Sequence, residues 1–311
     1  MSQRPRPATL LGLLAALLSV VVLSGCTVPA PKGEGPLRYR DQVFTAVTET
    51  PNLQYGEAPD AAGVPQKLFL DLYEPAGDTA AKRPAMVWVH GGGFKIGTRK
   101  DPMMVELSRR FARRGYVVVS ISYRLLAAEI CGGEESTEAC LPAALKAADD
   151  QRAAVRYLRK RAAELRIDPD RIGAGGASAG AISSILVGAA PNIAGNSGNP
   201  GFSNAVKAVV SISGGLPYDG VFGPGDAPVL FWHGTADTVV PFEWAQNNVE
   251  YMADNEPLGF LRYVNGAGHV PWGQYANDMD EQARNWLYIW LRLGGLNGTT
   301  PTTTTPATTT P

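Results

Sequence analysis

Residues 171–180 read Arg-Ile-Gly-Ala-Gly-Gly-Ala-Ser-Ala-Gly, and an apolar helical pattern follows directly over residues 179–187. The stretch contains the spacing Gly-x-Ser-x-Gly at Gly176, Ser178 and Gly180. A serine on a tight strand-to-helix turn is strained, and small neighbours let the backbone pass without clashes. Its hydroxyl then lies beside the positive end of the helix, which favours a nucleophile at Ser178. A plain Ser-Gly turn is the alternative.

Strand and helix patterns alternate on both sides of this stretch. Apolar strands that alternate with amphipathic helices indicate an α/β protein, with a mostly parallel central sheet and helices on both faces. In such sheets functional groups collect at the carboxyl ends of the strands. The predicted strands are residues 67–73, 85–89, 116–121, 171–174, 205–212, 229–232 and 259–264, and the predicted helices are residues 144–165, 179–187, 242–254 and 276–293.

A run of glycines follows the predicted strand 85–89, in the sequence His-Gly-Gly-Gly-Phe of residues 90–94. Consecutive glycines let backbone amides point into a cavity, where they stabilise a developing oxyanion. We expect the amides of Gly92 and Gly93, with that of Ala179, to form an oxyanion hole, and Gly91 is an alternative. A flexible loop or a phosphate cradle would also use glycines, but no Lys-Ser/Thr pair follows for phosphate.

The chain has three histidines, at positions 90, 233 and 269. His269 lies on a Gly-rich loop after a late strand, which suits a general base that must reach Ser178. Asp237 would orient its imidazole and stabilise the charged form. We expect His233 to support the loop of Asp237, and His90 to anchor the glycine run. An ordinary surface-loop histidine is the alternative for His269.

The chain order Ser178, Asp237, His269 is that of the α/β-hydrolases. From about residue 68 to 293 the sequence resembles α/β-hydrolase-fold bacterial carboxylesterases and lipases, through residues 90–94, 176–180, 233–241 and 266–269. Residues 149–158 also resemble the helix that precedes the nucleophile strand in that family.

This resemblance implies a serine carboxylic-ester hydrolase with a Ser-His-Asp triad, an acyl-enzyme intermediate and a small-molecule ester as substrate. It implies no metal and no organic cofactor. Two other hypotheses remain: an amidase or peptidase with the same triad, and a non-catalytic, membrane-tethered binding protein on the hydrolase scaffold.

The N-terminal residues 1–25 have the pattern of an export signal: two arginines, an apolar stretch, then Leu-Ser-Gly-Cys at residues 23–26. This ending resembles a bacterial lipobox, which implies cleavage before Cys26, acylation of its thiol, and a lipid anchor in the cell membrane or envelope. An uncleaved anchor or an ordinary secretory signal is the alternative. Residues 26–36 are predicted to be a linker, residues 37–296 the α/β-hydrolase domain, and residues 297–311 a disordered Thr/Pro-rich tail.

Composition narrows the function classes further. Hydrophobic residues make up 45% of the 311 residues and charged residues 18%, which excludes a disordered chain. Lys and Arg total 28 against 29 Asp and Glu, so the chain has no excess of basic residues to bind nucleic acid.

In an exported chain, Cys131 and Cys140 are expected to form a disulfide. The segments 125–141 and 191–202 are candidates for the border of the cleft.

Overall fold

The computed structural model describes residues 27–132, 137–218 and 220–296. Within these residues eight strands form one sheet in the order β1-β2-β4-β3-β5-β6-β7-β8. The β1–β2 and β2–β4 pairs are antiparallel, and every pair from β4 to β8 is parallel. The strands are β1 (Val47–Pro59), β2 (Pro65–Pro75), β3 (Arg83–Val89), β4 (Val117–Ile121), β5 (Ile167–Ala177), β6 (Val209–Ile212), β7 (Val229–Gly234) and β8 (Gly259–Val264).

Helices cover both faces of the sheet, so the predicted architecture is confirmed. Successive residues of a strand point to opposite faces. Val87 accordingly packs in the apolar cluster beneath α2, α3 and α4, whereas Trp88 packs in the cluster beneath α1 and α5. The helices are α1 (Pro102–Arg113), α2 (Thr137–Lys160), α3 (Ala179–Gly188), α4 (Phe242–Asn255) and α5 (Trp272–Trp290), and a short 3₁₀ helix follows at Leu293–Leu296.

Several element boundaries differ from those predicted. Helix α2 begins seven residues before the predicted residue 144 and includes Pro142, a residue that more often marks a helix boundary. Strand β5 is longer than predicted, because Gly175 and Gly176 still pair with β3 and β6. Strand β6 is shorter than the predicted residues 205–212, and α5 begins and ends earlier than residues 276–293. Strand β1 and helix α1 were not predicted.

The residues predicted as a linker contact the body of the domain. The side chain of Val28 is buried in the cluster beneath α5. Its amide donates to Gln282 Oε1 at 2.6 Å, and its carbonyl accepts from Asn285 Nδ2 at 3.0 Å. The fold therefore includes Val28, nine residues before the predicted start at residue 37.

Three predictions lie outside the described residues: the signal peptide 1–25, the lipidation site Cys26 and the tail 297–311. Across the residues that are described, no helix is both long enough and apolar enough to span a membrane.

Candidate active site

Ser178 lies in the turn between β5 and α3, in a left-handed backbone conformation with φ of +53°. Glycine is required at the flanking positions 176 and 180, because backbone atoms of β3 approach both positions closely. A Cβ on Gly176 would lie 2.5 Å from the carbonyl oxygen of Val89, and one on Gly180 would lie 2.1 Å from the same oxygen. The strain at Ser178 is therefore held in place by β3 on one side and by α3 on the other.

The three residues of the expected triad lie in hydrogen-bond contact. Ser178 Oγ is 2.9 Å from His269 Nε2, and His269 Nδ1 is 2.8 Å from Asp237 Oδ2. Because a carboxylate only accepts, Asp237 fixes the tautomer in which His269 carries its proton on Nδ1. Nε2 is then free to accept the hydroxyl proton of Ser178. The residues follow β5, β7 and β8, at the carboxyl edge of the parallel sheet.

The carboxylate of Asp237 is fully buried and has several donors. The amides of Val239 and Val240 donate to Oδ1 at 2.9 and 3.0 Å. Burial alone would raise the pKa of Asp237, but hydrogen bonds from His233 and His269 outweigh it and hold that pKa well below its usual range. Asp237 is therefore a fixed negative charge beside the imidazole of His269.

His233 has the supporting role that the sequence suggested. Its Nε2 lies 2.9 Å from the carbonyl oxygen of Val240 and 3.2 Å from Asp237 Oδ2. The ring is fully buried and packs edge-on against Phe242 at the start of α4. His233 thus closes the turn that carries Asp237, whereas the imidazole hydrogen-bonded to Ser178 in the described structure is that of His269.

The glycine loop is anchored by His90. The His90 ring is buried, lies 2.7 Å from the carbonyl oxygen of Gly91 through Nδ1, and stacks on Tyr123 with ring centres 4.4 Å apart. Burial lowers the pKa of His90, which favours a neutral ring. Gly92 and Gly93 follow with φ of +109° and +56°.

The amides expected to form the oxyanion hole are available. Within the described part of the chain, the backbone amides of Gly92, Gly93 and Ala179 donate to no protein acceptor. Gly92 and Gly93 border a cavity that also contacts Ser178, and Ala179 is the first residue of α3. Gly91 lies beside the nucleophile as well, since its added Cβ would be 3.2 Å from Ser178 Cβ. These positions suit the stabilisation of negative charge on an oxygen held at Ser178.

Ser213 is a site residue that the sequence reasoning missed. It follows β6, is fully buried, and accepts a hydrogen bond at Oγ from the amide of Val270 at 3.0 Å. The loop of His269 is therefore fastened to the strand between β5 and β7. The rule that functional groups collect at the carboxyl ends of strands also points to this serine.

Two cavities meet at Ser178. The smaller, about 290 Å³, is lined by apolar side chains that include Phe94, Leu186, Leu216 and Trp244. The larger, about 560 Å³, is bordered by the glycine loop and contains His269 and Trp272. Ser178, Cys131 and Val239 border both cavities.

The structure joins Cys131 to Cys140 in a disulfide with a Cα–Cα distance of 5.9 Å. Both cysteines border the smaller cavity, so the segment 125–141 does reach the cleft. The other candidate segment, residues 191–202, contributes to neither cavity in the described structure. Its carbonyls at Ala194 and Gly198 accept hydrogen bonds from Arg156, which hold this segment against α2.

Solved structures share this architecture. One is the butyrate-bound structure of the esterase Est2 from Thermogutta terrifontis, with a TM-score of 0.60 and 23% identity, covering 73% of this chain and 91% of that chain. The chain has the α/β-hydrolase fold. At this level of identity the likeness concerns the fold alone.

Sequence comparisons match the middle of the chain. Residues 70–218 match the BD-FAE family. Carboxylesterase 1C of Rattus norvegicus is 36% identical over 118 residues, which are 37% of this chain and 20% of that protein. The para-nitrobenzyl esterase of Bacillus subtilis is 31% identical over 122 residues, 37% of this chain and 23% of that protein. The matched part therefore spans about a fifth of the length of these relatives. The BD-FAE match includes the glycine loop and Ser178, and it ends before Asp237 and His269.

Proposed function

We propose that the protein is a serine carboxylic-ester hydrolase. The observation that carries this proposal is the continuous hydrogen-bonded line from Ser178 through His269 to Asp237, beside three backbone amides with no protein acceptor in the described structure. The names of the sequence relatives, a carboxylesterase and a para-nitrobenzyl esterase, support ester substrates.

In the first half-reaction Ser178 Oγ attacks the ester carbonyl carbon, and its proton passes to His269 Nε2 at a distance of 2.9 Å. The buried carboxylate of Asp237 stabilises the imidazolium that results. The amides of Gly92, Gly93 and Ala179 bind the oxyanion of the tetrahedral intermediate, and each such donor is worth about 3 kcal/mol in the transition state. The intermediate collapses as His269 protonates the leaving alcohol.

The second half-reaction returns the enzyme to its resting state. A water molecule enters the position of the departed alcohol and loses a proton to His269 Nε2 as it attacks the acyl carbon. The same amides bind the second oxyanion. Collapse releases the carboxylic acid, and Ser178 recovers its proton from His269. No residue changes its oxidation state.

The two cavities have different roles in this scheme. His269 must protonate the leaving oxygen, so the alcohol lies on the side of the larger cavity, which contains His269. The acyl group then occupies the smaller cavity, which contacts Ser178 and Ala179 and is almost entirely apolar. We call these the alcohol chamber and the acyl chamber. The assignment predicts an ester of an apolar acid with a larger alcohol portion.

Replacement of the nucleophile tests the proposal. Ser178→Ala should lower kcat for p-nitrophenyl butyrate by a factor on the order of 10⁶, because triad members act as a unit. The exposed Ser203→Ala is the matched control and should retain wild-type turnover. Circular dichroism establishes that both variants are folded. Turnover by folded Ser178→Ala close to that of the wild type would refute the assignment.

Amide substrates separate the proposal from the amidase or peptidase alternative. The matched p-nitroanilide of butyric acid has a poorer leaving group than the ester. We expect the ester to be hydrolysed with a far higher kcat/KM. Comparable values for the two would favour an amidase, and turnover of neither by folded wild-type protein would favour a binding protein.

We also propose that the protein is exported and anchored to a membrane by lipid at Cys26. This rests on the sequence of residues 1–26, which lie outside the described structure. Two or more acyl chains give stable anchoring, at about 0.8 kcal/mol for each buried CH₂. Cys26→Ser should block attachment of the lipid, as measured by mass spectrometry. Wild-type protein found entirely soluble, with no lipid by mass spectrometry, would contradict the proposal.

A further inference from the structure

The acyl and alcohol chambers adjoin at Ser178, and we call Cys131 and Val239, which lie between them, the partition. Besides the nucleophile itself, Cys131 and Val239 are the residues that border both chambers in the described structure. Gly132 lies against Val239, since a Cβ added to Gly132 would be 3.1 Å from Val239 Cγ1. The backbone around Cys131 therefore meets the loop of Asp237 across the cleft and closes the acyl chamber on that side.

This backbone is also joined to the glycine loop. The amide of Cys131 donates to the carbonyl oxygen of Gly93 at 3.1 Å. The contact is close enough that a Cβ on Gly93 would lie 2.7 Å from the backbone nitrogen of Cys131. The position of Cys131 therefore affects both the partition and the expected oxyanion hole.

On the other side, the disulfide fastens Cys131 to the first turns of α2, which form the outer wall of the acyl chamber. Leu141 and Leu145 border that chamber, yet they are 36% and 43% exposed. Pro142 lies inside this part of the helix and has no N–H to donate to the carbonyl four residues earlier. Residues 138–142 have no buried side chain, and the helix is held to the core only from Ala143 and Ala144 onwards. With a backbone hydrogen bond missing as well, the first turns of α2 are weakly held without a covalent link.

We propose that the Cys131–Cys140 disulfide determines acyl selectivity by holding the outer wall of the acyl chamber against the partition. The proposal rests on the ester-hydrolase function and on the assignment of the chambers above. With the bond intact, the chamber admits acyl groups that fit between the outer wall and the partition. Without it, the first turns of α2 move away from Cys131, and longer acyl chains are accepted.

A series of p-nitrophenyl esters, from acetate through butyrate, hexanoate and octanoate to decanoate, measures this effect. For the wild type we expect kcat/KM for decanoate to fall at least about tenfold below the best short ester, because even one methylene in a closed apolar pocket changes selectivity by that factor. In the double variant Cys131→Ser/Cys140→Ser, the difference in kcat/KM between the best short ester and decanoate should be much smaller. Leu145→Trp, which adds bulk at an exposed position of the wall, should make the fall steeper.

Reduction of the wild type gives the same test without a substitution. Dithiothreitol transfers two electrons and two protons to the disulfide, which yields two thiols and the cyclic disulfide of the reagent. The reduced wild type should acquire the profile of the double variant, and the double variant should not respond to the reagent. This measurement also replaces the double variant if that variant does not fold.

The outcomes separate this proposal from the one on which it rests. An acyl profile that is the same in the oxidised wild type, the reduced wild type and the folded double variant overturns the role of the disulfide. It leaves the hydrolase function intact, because esters are still hydrolysed. If the oxidised wild type hydrolyses no ester of the series, the proposed function itself fails. Melting temperatures of all samples establish that each assay is run on folded protein.

Discussion

Removal of one partner from the buried ion pair between Arg124 and Asp150 should cost a large part of the stability of the domain. Neither side chain is exposed: the exposed fractions are 2% and 0%. The Asp150 carboxylate accepts from the backbone amide of Arg124 at 2.8 Å, from its Nη2 at 2.7 Å, and from Ser197 Oγ at 2.6 Å. Asp150→Asn keeps the shape of the side chain but removes the charge that balances the guanidinium.

Removal of one partner from a buried pair costs about 3–5 kcal/mol, because the other charge stays buried without compensation. Folded domains have unfolding free energies of about 5–15 kcal/mol, so the expected loss is a large fraction of the total. Arg124 also follows Tyr123, which stacks on His90 below the glycine loop. We therefore expect kcat/KM for p-nitrophenyl butyrate to fall as well.

Unfolding in guanidinium chloride, followed by tryptophan fluorescence, measures the loss of unfolding free energy. The matched control is Glu49→Gln, which removes the carboxylate from an exposed pair with Arg109, where the exposed fractions are 46% for Arg109 and 38% for Glu49. An exposed pair contributes about 0–1 kcal/mol, so this variant should unfold near the wild-type midpoint. If Asp150→Asn also unfolds within about 1 kcal/mol of the wild type, the reasoning on burial is wrong.

Three further predictions concern the triad and its turn. Asp237→Asn should lower kcat for p-nitrophenyl butyrate by about 10⁴, and a fall of less than tenfold would remove it from the triad. The pKa of Asp237 is lower in the folded state than in the unfolded state, where it is near 3.9. The stabilisation of the fold by its carboxylate is therefore fully present above the unfolded-state pKa, and it is lost as the pH falls through the folded-state pKa. The stability difference between wild type and this variant should therefore narrow only below about pH 4, as measured by denaturant unfolding. His269→Ala should lower kcat by about 10⁶, whereas His233→Ala should mainly lower the melting temperature; the reverse result would exchange their roles. Gly180→Ala should prevent folding, because its Cβ would lie 2.1 Å from a carbonyl oxygen of β3, whereas Gly268→Ala, with no atom within 4 Å, should express as soluble protein.

The sequence predicts the nucleophile turn well because the constraint there is local. Gly176 and Gly180 lie within two residues of Ser178. Backbone atoms of β3 approach both positions so closely that only glycine fits, and this requirement is visible in the Gly-x-Ser-x-Gly spacing. Helix α1 carries local signals too. Asp101 accepts a hydrogen bond from the amide of Met103, and Pro102 occupies the first helical position. Strand β1 gives a weaker signal, because most of its residues are exposed on an edge of the sheet.

The partition between the chambers could not be predicted, because it depends on residues far apart in the chain. Nothing in the sequence near Val239 indicates that it will meet Gly132, more than a hundred positions earlier. The two cavities adjoin only where the loop after β7 brings Val239 to the border of both. The expectation that residues 191–202 border the cleft is wrong for a similar reason. The side chain of Arg156, in α2, holds this segment by its carbonyls at Ala194 and Gly198.

The contact of Val28 with α5 changes how far a lipid at Cys26 would let the enzyme move. A free linker of the predicted eleven residues would have a reach of roughly 18 Å. With Val28 fixed between Gln282 and Asn285, two residues remain, and two residues span at most about 7 Å. On the lipoprotein proposal, the domain would therefore be held against the bilayer surface, without the freedom of movement that an eleven-residue tether would give it.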